Sequence, residues 1–114
     1  MQLNSIQRDD AITQVSLVGK LDLDGLHAVD LKFHALTAAT KQPAIVDVSE
    51  LEFIASLGMG MLISCAQSLQ RTGNRMVLVG ATGSVDTALR TAGIDQAIPL
   101  VDTTDAAVEL IRAG

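Results

Sequence analysis

In the stretch FIASLGMGML (residues 53–62), Ser56 follows a run of strand-forming residues and opens what reads as a helix. Two kinds of chemistry suit a hydroxyl in that place. It can act as an N-cap, accepting a hydrogen bond from a first-turn N–H. It can also be a phosphoryl acceptor, because a helix N-terminus favours the negative charge of a phosphate. Gly58 and Gly60 fall in the first turn behind it, with Leu57 and Met59 beside them. Each glycine weakens a helix by about 1 kcal/mol relative to alanine. A cap does not explain them, whereas bare backbone would let another surface come close.

Asp22 and Asp47 lie at or near strand ends, where neighbouring loops could bring them toward Ser56. They read either as an acidic rim that shapes docking of a partner or as ordinary turn and cap residues, and neither is expected to be a catalytic base. His27 and His34 are seven residues apart, without the i,i+4 spacing of a ligand pair and without a third ligand, so they read as solvated helix residues. Cys65 falls in an apolar helical stripe and reads as an inert core thiol. Met61 reads as core, and Met59, off the stripe, as a contact residue. A hydrolase elbow fails: Ile54 stands where its first glycine belongs, and both histidines precede the serine. A dinucleotide site fails for want of the full glycine spacing. No catalytic residue, metal site or cofactor is expected.

The elements that must position Ser56 follow from the apolar pattern. Gln14 to Leu17 alternate as a half-buried strand, and residues 2–7 pair with it through a turn near Asp9 and Asp10. PAIVDVS (43–49) and RMVLVG (75–80) are nearly continuous apolar runs, which read as buried central strands. ELEFIA reads as a short irregular link, and a last short strand covers 97–100. Helical stripes run through Leu26, Val29, Phe33 and Leu36; through Gly58, Met61, Leu62, Cys65, Ala66 and Leu69; through Val85, Ala88, Leu89 and Ala92; and through Ala106, Ala107, Leu110 and Ile111. Gly73 and Gly93 stop the second and third, and Thr103 or Thr104 caps the fourth. The expectation is one α/β domain over residues 1–114, of order β-β-α-β-α-β-α-β-α, with a mixed sheet of about five strands packed on one face by about four helices.

Composition narrows the partners. The chain has 114 residues, 48% of them hydrophobic, with two Phe, no Trp or Tyr and a net charge of −5. Its core must be aliphatic, and the aromatic platforms and basic patches of a nucleic-acid binder are missing. The single cysteine, the lack of a signal-peptide pattern at the start and the lack of a membrane-spanning run make cytoplasm the expected compartment; a monomer is the expected state.

Several stretches together carry a resemblance. GKLD (19–22), AIVDVSELEFIASLGMGML (44–62), and MVLVG followed by VDTALRTAGID (76–80 and 85–95) match, in order, the pattern of a STAS domain, specifically a bacterial anti-sigma factor antagonist. The resemblance covers roughly residues 3–112 and implies a STAS-type fold. It implies that Ser56 is phosphorylated by an anti-sigma factor serine kinase, that the unmodified form binds this kinase and frees a sigma factor for transcription, and that a PP2C-type phosphatase reverses the change. Asp22, Asp47, Ser56, Leu57, Gly58, Met59 and Gly60 are then the expected partner-binding residues. The family often has Asp just before the serine, where this chain has Ala55. The alternatives are a non-switching STAS scaffold, in which Ser56 is only a cap, and a ligand-binding STAS module without phosphorylation.

Overall fold

In the computed structural model, which describes residues 1–113, the sheet is organised around one long strand, β2 (Thr13–Leu21). β1 (Gln2–Ile6) pairs antiparallel along one side of it, with Leu3 opposite Leu17. Its other side is shared, end to end, by two parallel strands. β3 (Ala44–Asp47) takes Thr13 to Ser16, and β4 (Leu51–Ile54) takes Gly19 to Leu21. β5 (Met76–Val79) pairs with β3, and β6 (Leu100–Val101) with β5, both parallel. Four α-helices connect and cover the strands: α1 (Leu23–Leu36), α2 (Ser56–Arg71), α3 (Gly83–Thr91) and α4 (Thr104–Ala113). The mixed sheet and the helix count agree with expectation.

The sheet has six strands, and the unexpected one is β4, in the stretch expected to be irregular. Its register against β2 shifts between Gly19 and Lys20. Leu51 and Ile54 are therefore buried while both residues between them are exposed. Such a strand shows neither alternation nor a continuous apolar run. β4 matters because it delivers the chain straight into Ser56.

β3 and β5 are buried on both faces, as their unbroken apolar runs require. Ala44, Val46, Met76 and Leu78 join Val29 and Phe33 of α1, Leu62 and Leu69 of α2 and Leu89 of α3 in one cluster. Ile45, Val77 and Val79 point the other way, where Ala107 of α4 meets them. The helices thus cover both faces of the sheet and not one, because strands apolar on both sides leave a second strip that also has to be covered. Phe33 is the aromatic of the core; the other, Phe53, is exposed. Cys65 is buried in α2, and burial pushes its thiol above the ordinary cysteine range.

Candidate functional site

The end of β2 fixes where two helices begin. Leu21 closes β2, and its carbonyl accepts the N–H of Ala55 at 2.9 Å. That hydrogen bond pins the switch from β4 into α2. Ala55 is extended, with φ −89° and ψ 165°, and is the N-cap of α2, with no side-chain capping bond. Ser56 is the first helical residue and is exposed. The reading of Ser56 as a side-chain cap is therefore corrected. Capping needs the extended backbone just outside the helix, and the strand geometry carried through Ile54 gives that place to Ala55.

Five consecutive residues expected to meet a partner divide into two sets. Ser56, Leu57 and Gly60 face outward: Leu57 is 62% exposed, and a Cβ on Gly60 would find nothing within 4 Å. Gly58 is buried, and a Cβ there would stand 2.7 Å from Cγ of Leu21 and 2.8 Å from its Cδ2. The surface that approaches the backbone at Gly58 is therefore the protein's own β2. Met59 is partly buried and packs against the main core. No acidic side chain lies in the first turn of α2, so its N–H groups face no carboxylate from within the helix.

Asp22 is the N-cap of α1, and its Oδ1 accepts the Gly25 N–H at 2.8 Å. It follows Leu21 directly, so Asp22 and Ser56 flank the Leu21–Ala55 hydrogen bond from opposite strands. Asp47 ends β3, and its Oδ1 accepts the Ser49 N–H at 2.9 Å, closing the turn that leads to β4. Both carboxylates thus hold local backbone, as cap and turn residues do. Asp22 directly follows Leu21, whose carbonyl holds the start of α2, whereas Asp47 lies farther back along β2, in register with Ser16 and Val79. His27 is exposed, and His34 lies 3.4 Å from Asp30. Among the described residues no group of three His, Cys, Asp or Glu side chains could hold a metal ion.

Around this pole lie apolar side chains that the pattern reading passed over. Leu23 is 51% exposed at the start of α1, and Phe53 is 48% exposed in β4. With Leu57 they make three of the five large apolar side chains exposed among the described residues. A strand-forming aromatic on a strand that has one buried face would have drawn attention to Phe53, had β4 been expected.

The family model described as Mlab, STAS domain matches residues 4–102. Among solved structures, an anti-sigma factor antagonist from Mycobacterium paratuberculosis has a TM-score of 0.84 at 23% identity, over 97% of this chain and 95% of that one. The Bacillus cell fate determinant SpoIIAA in its phosphorylated form has a TM-score of 0.67 at 16% identity, over 96% of this chain and 99% of that one. The murine Solute Carrier 26 family member A9 anion transporter has a TM-score of 0.78 at 18% identity, over 95% of this chain and 19% of that one. Likeness at these identities is a likeness of fold, which the same sheet can lend to different tasks. The match across residues 4–102 shows that the chain belongs to the STAS domain family.

Proposed function

We propose that the chain is an anti-sigma factor antagonist whose binding to an anti-sigma factor kinase is switched by phosphorylation of Ser56, in a cytoplasmic circuit that controls sigma-dependent transcription. The observation that carries this reading is the exposed Ser56 hydroxyl on the first turn of a helix that has no side-chain cap. Structural neighbours support it: one is an anti-sigma factor antagonist and another was solved phosphorylated. The chain acts as binder and phosphoryl acceptor and not as catalyst; a PP2C-type phosphatase restores the hydroxyl.

The switch works through charge. A phosphoryl group adds about −1.5 to −2 charges at neutral pH. The start of α2 favours that charge by roughly 0.3–1 kcal/mol at an exposed site, so the fold holds. The partner surface that covers Ser56 also covers Leu57 and, at the rim, Leu23 and Phe53. Burying an unmatched charge among such groups costs several kcal/mol, which lowers affinity by roughly tenfold to thousandfold. Gly58 and Met59 contribute by seating α2, Asp22 by holding the neighbouring helix start, and Asp47 by shaping the turn into β4. Gly60 leaves room at the helix surface.

Incubation with the cognate kinase, followed by mass spectrometry and calorimetry, tests the proposal. Phosphate should enter Ser56, and the modified chain should bind the kinase at least tenfold more weakly. Tight binding by the modified chain would overturn it. A second reading, a non-switching STAS scaffold or ligand-binding module, is favoured by Ala55 and by the occurrence of the fold within an anion transporter. It expects partner or ligand binding with no phosphate on Ser56.

A further inference from the structure

β1 forms one edge of the sheet: among the described residues it pairs with β2 alone. The other open sides differ from it. β6 is two residues long, and β4 is in contact with α3. β1 runs for five residues, QLNSI, with no proline and no charge, and Leu3 is its one buried side chain. An edge strand of that length, without a charge of its own, is a template on which another extended chain can pair.

A flank of α1 overhangs this edge. Lys32 Nζ donates to the Leu3 carbonyl at 3.4 Å, and Ala28, one turn earlier, lines a hollow with Met1 and Gly19. Leu31 and Ala35 share the flank by their spacing from those two residues. All four are exposed, and Leu31, at 88%, is the most exposed large apolar side chain among the described residues. Lys32 meets no carboxylate within ion-pairing distance among the described residues. The edge therefore offers, side by side, a row of backbone groups, an apolar side chain and a cation without a carboxylate.

We propose that β1 receives an extended segment of a partner protein as an added strand, and that this segment carries a carboxylate for Lys32 and an apolar side chain over Leu31. Charge selects this occupant over a second copy of the chain. α1 rests on both β1 and β2, so two copies joined at β1 would hold their α1 helices roughly 10 Å apart, two strand spacings. Each Lys32 would then be enclosed beside the other, and QLNSI supplies no carboxylate to separate them. Like charges so placed oppose pairing, whereas an acidic strand meets the same lysine favourably. The edge lies on the opposite side of β2 from β4 and the start of α2, so the segment binds whether or not Ser56 is modified.

Titration of the full chain with a capped peptide of alternating valine and threonine, with one central glutamate, tests the proposal through amide spectra. At millimolar peptide the signals of residues 2–6 and 28–35 should shift, and those of residues 56–60 should not. Lys32→Ala should weaken binding roughly twofold to fivefold, the range for one exposed ion pair. A peptide with glutamine for the glutamate should bind the parent more weakly by the same factor and be indifferent to Lys32→Ala. The glutamate peptide N-methylated along its backbone should not bind, because it cannot pair with an edge. Absent binding, binding that survives N-methylation, or equal affinity of the parent for the glutamate and glutamine peptides would each overturn the proposal. So would sedimentation of the parent as a dimer with protected β1 amides, which would give the edge to a second copy.

Discussion

α1 and α2 begin side by side at the end of β2, and the two starts have the same layout. Asp22, Leu23, Asp24 and Gly25 occupy in α1 the places that Ala55, Ser56, Leu57 and Gly58 occupy in α2. Both third positions are glycines pressed on β2. A Cβ on Gly25 would stand 2.2 Å from the Lys20 carbonyl oxygen, and one on Gly58 would stand 2.7 Å from Leu21 Cγ. The packing demand is shared, but the finish is not. The start of α1 is closed from within by the Asp22 carboxylate, and the start of α2 has only the methyl group of Ala55. The same backbone device therefore makes one inert corner and one corner open to a group from outside.

The largest effects should come from the two glycines. Gly25→Ala forces a methyl group against backbone and should cost about 3 kcal/mol, the upper end of overpacking. Gly58→Ala meets Cγ of the fully buried Leu21 at 2.7 Å and its carbonyl oxygen at 3.2 Å, a milder clash than backbone at 2.2 Å, so its cost should be roughly 1–2 kcal/mol. Urea denaturation of both variants measures this. A neutral Gly58→Ala would mean that Leu21 yields freely and that close packing is not why glycine stands there.

Next come the caps. Asp22→Ala should lose about 1 kcal/mol, as for a typical N-cap. Ala55→Asp makes the second start like the first and should gain about 0.5–1 kcal/mol, its carboxylate accepting the Gly58 N–H. A loss of stability on Ala55→Asp would show that the two starts differ in backbone geometry and not only in side chain.

Much of this layout was legible in the residues. The runs PAIVDVS and RMVLVG marked β3 and β5, and the stripe from Gly58 to Leu69 marked the buried face of α2. Three features were hidden, each for a physical reason. β4 lost its period to the register shift opposite Gly19 and Lys20. α4 was placed with the other helices because an apolar run shows that a strand is buried, but not which helix covers which face. Serine's capping tendency makes Ser56 one candidate for the cap of α2, whereas the extended backbone at Ala55 gives Ala55 that place. The site showed the same split. Gly60 lies off the apolar stripe of α2 and Gly58 on it, so their outward and inward positions were legible, but the neighbour that requires a glycine at 58 is Leu21, which is distant in sequence. The repeat of spacing between DLDG (22–25 with its preceding strand) and ASLG (55–58) was the available signal for that role.

The smallest expected effect belongs to Ser56 itself, and it separates the two readings of the hydroxyl. Were Ser56 the cap, Ser56→Ala would cost about 1 kcal/mol. As the first residue inside the helix, and exposed, it should change stability by less than about 0.5 kcal/mol, as surface substitutions do. Alanine is also the better helix former, so the sign can be slightly favourable. Partner affinity should be kept, because alanine fits wherever an uncharged serine fits, while Ser56→Asp should lose part of the affinity by placing a charge under the same surface. Denaturation and calorimetry on the two variants therefore give a joint result. Retained stability with affinity lost only in the aspartate variant supports a switch. A stability loss near 1 kcal/mol in Ser56→Ala would return the hydroxyl to a capping role and remove the contrast between the two helix starts.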